Sequence, residues 1–314
     1  MKTAILMIPT YNGAKYLPAL LDSIAAQTYP NIRVYIRDDG STDDTVQIIR
    51  DKQSIFTDGK QLILVNELDG DWDNKGPHEN FRHILQHMED GDYYFFCDQD
   101  DVWALEKVQR AVTSMERYPA ETPVLYYHNN YICDGALNIQ NTLPDRPSYT
   151  PDEMKNVRLC KVIMTGTWAG VGMAQAFNHS LKKLAFDTGD FTPSIAVDCW
   201  ISWVVAGANG ALCYDSKPLA YYRRHEGTFS SGDATGLKRY RDWQKHMNRH
   251  CDNITNGIRD FRRLYRPLVS EERKAFLDIF YNKKRMPKLF YPHRLRTSLM
   301  EEVAFRILIL IGKI

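Results

Sequence analysis

Apolar residues along this chain follow two rhythms. Short unbroken runs, Ala4-Ile5-Leu6-Met7-Ile8, Ile32 to Ile36, Leu62 to Val65, Tyr93-Tyr94-Phe95-Phe96-Cys97 and Val124-Leu125-Tyr126-Tyr127, have the length and bulk of strands buried on both faces. Between them the apolar spacing lengthens to three and four. Leu17, Leu20, Leu21 and Ile24 mark a helix within Tyr16 to Gln27, and Val46, Ile48 and Ile49 a second. Phe81, Ile84, Leu85 and Met88 mark a third, and Val108, Val112 and Met115 a fourth. Strands alternating with amphipathic helices predict βαβ units and a mostly parallel α/β sheet.

Polar punctuation sets the remaining boundaries. Pro9-Thr10-Tyr11-Asn12-Gly13 reads as a tight turn, and Ser41 or Thr42 as the cap of the second helix. Asn, Asp, Pro and Ser dominate about residues 134–152, which predicts a long loop. Thr165-Gly166-Thr167-Trp168-Ala169-Gly170-Val171-Gly172 is too Gly-rich for an element interior and permits close approach of a ligand or another segment. A helix around Ser180 to Ala185 follows, then a strongly apolar helix opened by Asp198, then strands near Ala211–Tyr214 and Leu219–Arg223. Beyond about residue 233 the chain turns to basic and aromatic helices with little Gly. We therefore expect a catalytic domain over 1–232, with halves of about 1–130 and 131–232, and a helical extension over 233–314.

Composition narrows the class. With 314 residues, 44% of them hydrophobic and 25% charged, the chain is globular, and a net charge of +1 argues against a nucleic-acid partner. Cys97, Cys133, Cys160, Cys199, Cys213 and Cys251 show no zinc-ligand spacing, so reduced thiols in a cytoplasmic protein are expected. Met1 to Pro9 is too short in apolar length for a secretory signal. No run reaches the ~18 apolar residues that span a bilayer, which predicts a soluble or peripheral protein.

The chemistry concentrates where the bulky run Tyr93 to Cys97 ends in Asp98-Gln99-Asp100-Asp101-Val102-Trp103. Carboxylates this close repel one another and call for a cation. Mg²⁺ or Mn²⁺ suits an Asp-x-Asp pair that also meets phosphates, and open α/β sheets bind ligands at the carboxyl ends of their strands. A solvated acidic turn is the plain alternative.

Five motifs in order, Pro9-Thr10-Tyr11-Asn12-Gly13, Asp38-Asp39-Gly40-Ser41-Thr42-Asp43, Asn74-Lys75-Gly76, the Asp98 to Trp103 stretch and Tyr222-Arg223-Arg224-His225, resemble the inverting family-two glycosyltransferases of GT-A fold. The likeness covers about residues 3–230 and is strongest to the bacterial branch that builds cell-wall and capsular polysaccharides, rhamnosyltransferases among them. It implies a nucleoside-diphosphate sugar donor, dTDP-L-rhamnose or a UDP-sugar. Asp39 would accept from the imide N–H of a pyrimidine, with Thr10, Tyr11 and Asn12 lining the same pocket and Lys75 and Asn80 near the base or diphosphate. The likeness assigns Asp98 to the ribose and metal shell, Asp100 and His225 to the metal, and Arg223 or Arg224 to phosphate oxygens. Asp198 becomes the general base that inversion requires, with Asp187 and Asp190 as fallbacks; it also suits a helix cap. Trp168, Gly170 and Asp101 would border the acceptor, and Asp101 equally suits a helix cap. Two departures stand out: Thr228 where the family pattern has Asn, and Cys199 beside the base.

The last stretch, Leu299 to Ile314, carries Val303, Phe305, Ile307, Leu308, Ile309, Leu310 and Ile311 behind Lys283-Lys284-Arg285 and Arg294. It suits an interfacial helix on the inner face of the plasma membrane beside a polyprenyl-diphosphate-linked acceptor, or a helix packed on the catalytic domain or a second subunit. A non-catalytic nucleotide- or carbohydrate-binding protein of the same fold is the rival reading. A nucleotidyltransferase is a weaker one, because no Gly-rich phosphate loop with Lys or Arg follows the first strand.

Overall fold

The computed structural model describes residues 2–142, 171–187, 195–208, 210–225, 251–252, 254–296 and 299–314. Its centre is β1 (Ala4–Thr10), which pairs in parallel with β2 (Ile32–Asp38) on one side and β4 (Tyr93–Phe96) on the other, while β3 (Lys60–Leu64) extends the parallel set beyond β2. The sheet then changes direction. β8 (Gln175–Asn178) runs antiparallel between β4 and β6 (Val124–Cys133), β9 (Ala211–Arg223) lies parallel to β6, and β5 (Val102–Trp103) closes the edge antiparallel to β9. The order of the nine-stranded sheet is β3-β2-β1-β4-β8-β6-β9-β5, with β7 (Ile139–Thr142) paired to β6.

Alternate residues of the central strands feed two cores. Ile5, Met7, Tyr94 and Phe96 face one cluster, and Ala4, Leu6, Ile8, Tyr93 and Phe95 face the other. α1 (Leu17–Ala25), α2 (Thr45–Lys52) and α5 (Lys107–Met115) cover the second face, after a single-turn α3 (Asn66–Asp69) and with α4 (Pro77–His87) on the first. α6 (His179–Phe186) and α7 (Val197–Gly207) join α4 there.

The C-terminal helices occupy that same face. α8 (254–265) and α9 (Glu271–Tyr281) bring Ile254, Ile258, Phe261, Tyr265, Phe276 and Leu277 into the core of α7. Trp200 of α7 meets Phe261 and Tyr265 with ring centroids 6.1 and 5.7 Å away. Tyr265 donates to the Leu184 carbonyl at 2.7 Å, and Arg273 donates to the Gly207 carbonyl that ends α7. After α10 (Arg285–Leu289), α11 (Leu299–Leu310) buries Phe305 and Ile309, yet Leu299, Met300, Val303, Ile307, Leu310 and Ile311 stay exposed. One side of this segment thus packs into the core through its own C-terminal neighbours, and a second apolar side stays open. The proposed boundary at 232/233 lies outside the described residues. Among the described residues no helix is long and apolar enough to cross a membrane, and the five described cysteines are free thiols.

Three sequence expectations change. The strands near Ala211–Tyr214 and Leu219–Arg223 are one strand, whose pairing with β6 continues past the intervening Asp215-Ser216-Lys217-Pro218 through a register shift opposite His128 and Asn129. Ile139–Thr142, inside the expected loop, pairs with β6 as an exposed ribbon. Neither Ser41 nor Thr42 caps α2: its N-cap is Asp44, and Asp43 takes the Thr45 N–H at 3.1 Å.

Candidate active site

The turns that follow β1, β2 and β4 meet at the carboxyl edge of the parallel strands, stitched by side chains far apart in sequence. Gln99 holds the first turn from three directions. Its Oε1 accepts from Thr10 Oγ1 (2.6 Å) and Tyr11 N (3.0 Å), and its Nε2 donates to the Tyr11 carbonyl. Asn12 sits at φ 47°, and its Oδ1 accepts from Thr42 N while Ser41 Oγ accepts from Asn12 N, both at 2.8 Å. Asn66 locks the second turn by bonding both the N–H and the carbonyl of Asp38 at 2.8 Å. The Tyr11 ring is left 47% exposed at the mouth of this junction.

Asp39 is buried and highly coordinated. Its carboxylate accepts from Arg37 Nη1 (3.0 Å) and from the backbone N–H groups of Lys75 and Gly76 (2.8 Å each). It therefore folds the 74–76 turn over the end of β2. Arg37, fully buried, also reaches Asp71 and the carbonyl of Asp73. Asn80 sits beneath, its Oδ1 accepting from Arg37 Nη1 and its Nδ2 donating to the Arg37 carbonyl. Asn80 is thus an internal support for Arg37, and the Lys75 ammonium is paired with Asp71 at 2.8 Å.

The acidic stretch at the end of β4 divides sharply. Asp100 Oδ2 lies 2.9 Å from His225 Nε2, the acid just before β5 meeting the imidazole just after its partner strand β9. Tyr16 packs against the His225 ring at 4.7 Å and under the Arg223 guanidinium at 4.5 Å. Asp101 is fully buried, and its Oδ1 accepts the Arg223 N–H at 2.9 Å. That contact turns it inward, so the acceptor-side role expected for it gives way to an internal one. Arg223 is likewise internal: it donates to the carbonyls of Asp100 and Gly135, both at 2.6 Å. Its guanidinium shapes the Asp100 turn rather than projecting toward a phosphate. Arg224 is exposed beside it.

Beneath the acids lies a cation that the sequence reading missed. Lys107 is almost wholly buried, its Nζ donating to the Met173 carbonyl at 2.6 Å and resting 3.4 Å from the Trp103 ring centroid. Burial drives its ammonium down to about 7, against the opposing pull of Cys97, Asp101 and Asp98. Burial likewise pushes Asp98 up to about 7, reinforced by the charges of Asp100 and Asp198.

Asp198 lies in the first turn of α7, whose N-cap is Ala196, and its Oδ1 accepts the Cys199 N–H at 2.9 Å. Desolvation raises it above the ordinary Asp range, opposed by that bond and by the charge of His78. Gly172 makes the approach possible: a Cβ there would stand 3.3 Å from Asp198 Cβ and Oδ2. Of the fallback acids, Asp187 pairs with Lys182 at 2.9 Å, while Asp190 lies outside the described residues, as do Trp168 and Gly170.

Gln99, Lys107, Asn66, Tyr16 and His78 join the site without having been singled out, whereas Gly172 shows the close approach of another segment expected of its Gly-rich stretch. Gln99 and Lys107 carried a faint signal, an amide amid acids and a Lys in the first turn after Trp103. The others act on partners many residues away.

Comparison with known proteins gives the arrangement a context. A family model described as "Glycosyl transferase family 2" matches residues 5–180. The chain is 24% identical over 262 residues to a dTDP-rhamnosyl transferase, RfbG, of Shigella flexneri, covering 80% of this chain and 84% of that protein. Its fold resembles that of S. aureus TarS 1-349 in complex with UDP-GlcNAc (TM-score 0.57, 19% identity, 98% of this chain and 81% of that one). It also resembles the mannosyltransferase PcManGT from Pyrobaculum calidifontis in complex with GDP-Man and Mn²⁺ (TM-score 0.50, 18% identity, 98% and 74%).

Proposed function

The chain belongs to glycosyl transferase family 2, and from that premise we propose that it is an inverting, divalent-metal-dependent hexosyltransferase that uses Asp198 as its base. Donor and acceptor are read as dTDP-L-rhamnose and a hydroxyl of a lipid-linked or growing surface glycan. The observation that carries this reading is the meeting of Asp100 and His225 at 2.9 Å, two residues beyond Asp98 at the carboxyl end of β4. Likeness to RfbG supports the donor sugar, and the Mn²⁺ and GDP-Man held by PcManGT accord with the metal.

The donor set fits a hard divalent cation. Asp100 Oδ2 and His225 Nε2 already face each other at 2.9 Å, and Asp98 adds a carboxylate whose charge is costly when nothing neutralises it. Mg²⁺ or Mn²⁺ bound there supplies Lewis-acid stabilisation of the charge on the departing diphosphate. The protein does the rest. The junction of Thr10, Tyr11, Asn12 and Asp39 holds the nucleotide's base, with the Tyr11 ring as a stacking surface, and Arg224 offers an exposed cation to the diphosphate. The acceptor oxygen bonds to the anomeric carbon from the face opposite the nucleotide. The bond to the diphosphate oxygen breaks, and the hydroxyl proton passes to the Asp198 carboxylate. A carboxylate lifted above its ordinary range is the better base for that transfer.

A UDP-hexose is the second donor reading, since a uracil imide offers Asp39 the same N–H. Binding of dTDP and UDP with and without Mn²⁺ tests both. Wild type is expected to bind one nucleotide in a metal-dependent way, and Asp100→Ala to lose that dependence. No binding of either nucleotide under any metal condition would leave the non-catalytic alternative. The open apolar side of α11, flanked by Lys283, Lys284, Arg285 and Arg294, supports a peripheral seat on an anionic membrane surface, where a polyprenyl-linked acceptor is presented.

A further inference from the structure

α4 carries His83 and His87 one helical turn apart, so both imidazoles stand on one face, stacked with centroids 4.4 Å apart. They converge on one oxygen. His83 Nε2 is 2.5 Å and His87 Nε2 3.7 Å from Asp69 Oδ2, at the end of α3. The ligand atoms of the three residues all lie within 4.8 Å of one another. The far nitrogen of His83, Nδ1, faces Asp71 Oδ2 at 3.9 Å. Asp69 Oδ1 accepts the Asp71 N–H at 2.8 Å, which leaves Oδ2 to the rings.

His87 Nδ1 lies 2.9 Å from the His83 carbonyl, which only accepts, so that nitrogen carries the proton. Nε2 is then the ring atom that faces the carboxylate oxygen and the one that can offer a lone pair to a cation. A backbone carbonyl holding the far nitrogen of a histidine is the arrangement that orients metal-binding imidazoles.

We propose that Asp69, His83 and His87 form a binding site for a zinc-class divalent cation, separate from the Asp100–His225 pair. Two imidazoles and one carboxylate suit such an ion, and three protein ligands leave a fourth position to water. Ligand atoms around tetrahedral zinc stand about 3.4 Å apart, given bonds near ~2.1 Å. The present separations of 2.5 and 3.7 Å bracket that spacing and need only small side-chain shifts. The ion ties α4 to the turn through Asp71, whose carboxylate meets Lys75 and Arg37 and so reaches the Asp39 network. It braces the base side of the cleft without entering it.

The test is calorimetric titration of the EDTA-treated full chain with Zn²⁺ alone, repeated with Co²⁺ to read its ligand-field absorption. Wild type and Asp100→Ala are expected to share one zinc-binding event of equal affinity. His83→Gln with His87→Gln, and separately the isosteric Asp69→Asn, are expected to weaken it by about tenfold or more. Zinc binding unchanged in both variants, or lost only in Asp100→Ala, would overturn the proposal. Should the double variant fail to fold, wild-type imidazole NMR decides: zinc must shift the ring signals of His83 and His87, and their staying fixed would equally refute the site.

Discussion

At the scale of single residues, the site rests on charges that repel one another and on the few atoms that let them stand close. Asp198→Asn keeps the size of the side chain and removes the proton acceptor. Transfer is expected to fall by about 10³-fold, with metal-dependent nucleotide binding retained, as single-turnover kinetics beside binding isotherms would read. Gly172→Ala is the subtler probe. Its new Cβ presses on Asp198 at 3.3 Å, so kcat should drop on the order of tenfold or more while KM for the donor holds. An unchanged kcat would detach Asp198 from the chemistry. At this scale the sequence was readable where a residue type announces its chemistry: three acids behind a buried strand, a His after two Arg, a carboxylate opening a helix. It was unreadable where the role depends on a distant partner. Asn80 and Arg223 look like ligand-binding residues in a motif, and only the tertiary contacts with the Arg37 carbonyl and the Asp100 carbonyl turn them inward.

At the scale of elements, the parallel strands and their helices were legible because buried runs and helical spacing are strong, local signals. The antiparallel additions were not. β5 has two residues and β8 four, too short to show a period, and β7 is exposed throughout. β9 misled for a definite reason, since Asp215-Ser216-Lys217-Pro218 has the composition of a turn. Asp215 instead holds the irregularity together, accepting from Arg110 at 2.8 and 3.0 Å, from the Lys217 N–H at 3.0 Å and from the Tyr126 hydroxyl at 3.1 Å. Desolvation alone would raise this acid, yet those bonds outweigh it and hold it below its usual value. A carboxylate depressed in the folded state stabilises the fold above its unfolded pKa of ~3.9. That contribution is lost as pH falls through the lower folded value. Asp215→Asn should therefore cost roughly 2 kcal/mol in urea unfolding at pH 6. The gap between variant and wild type should narrow below about pH 4.

At the scale of the molecule, the helix that carries Asp198 is clasped at its far end. α7 carries Asp198 in its first turn, while its far end receives Phe261 against Gly207, where a Cβ would stand only 2.1 Å from the ring, and Arg273 on the last carbonyl. The C-terminal helices therefore hold the helix that carries Asp198 as well as present a surface. Between Tyr281 and Ile314 the chain has eight Lys or Arg and two Glu, and its open face is apolar, the combination that anionic bilayers attract. Val303→Glu with Ile307→Glu should abolish sedimentation with phosphatidylglycerol vesicles while leaving the melting temperature within a few degrees. If light scattering instead showed the wild type dimeric and the variant monomeric, that face would belong to a second copy.

The single sheet has one more consequence. β8 is hydrogen-bonded to β4 on one side and β6 on the other, so the strands that carry the acids and those that carry His225 are rows of one continuous fabric. Among the described residues this sheet has no hinge across its middle at which to open and shut like a clamshell around a ligand. A structure determined with ligand should therefore superimpose, strand for strand, on one determined without.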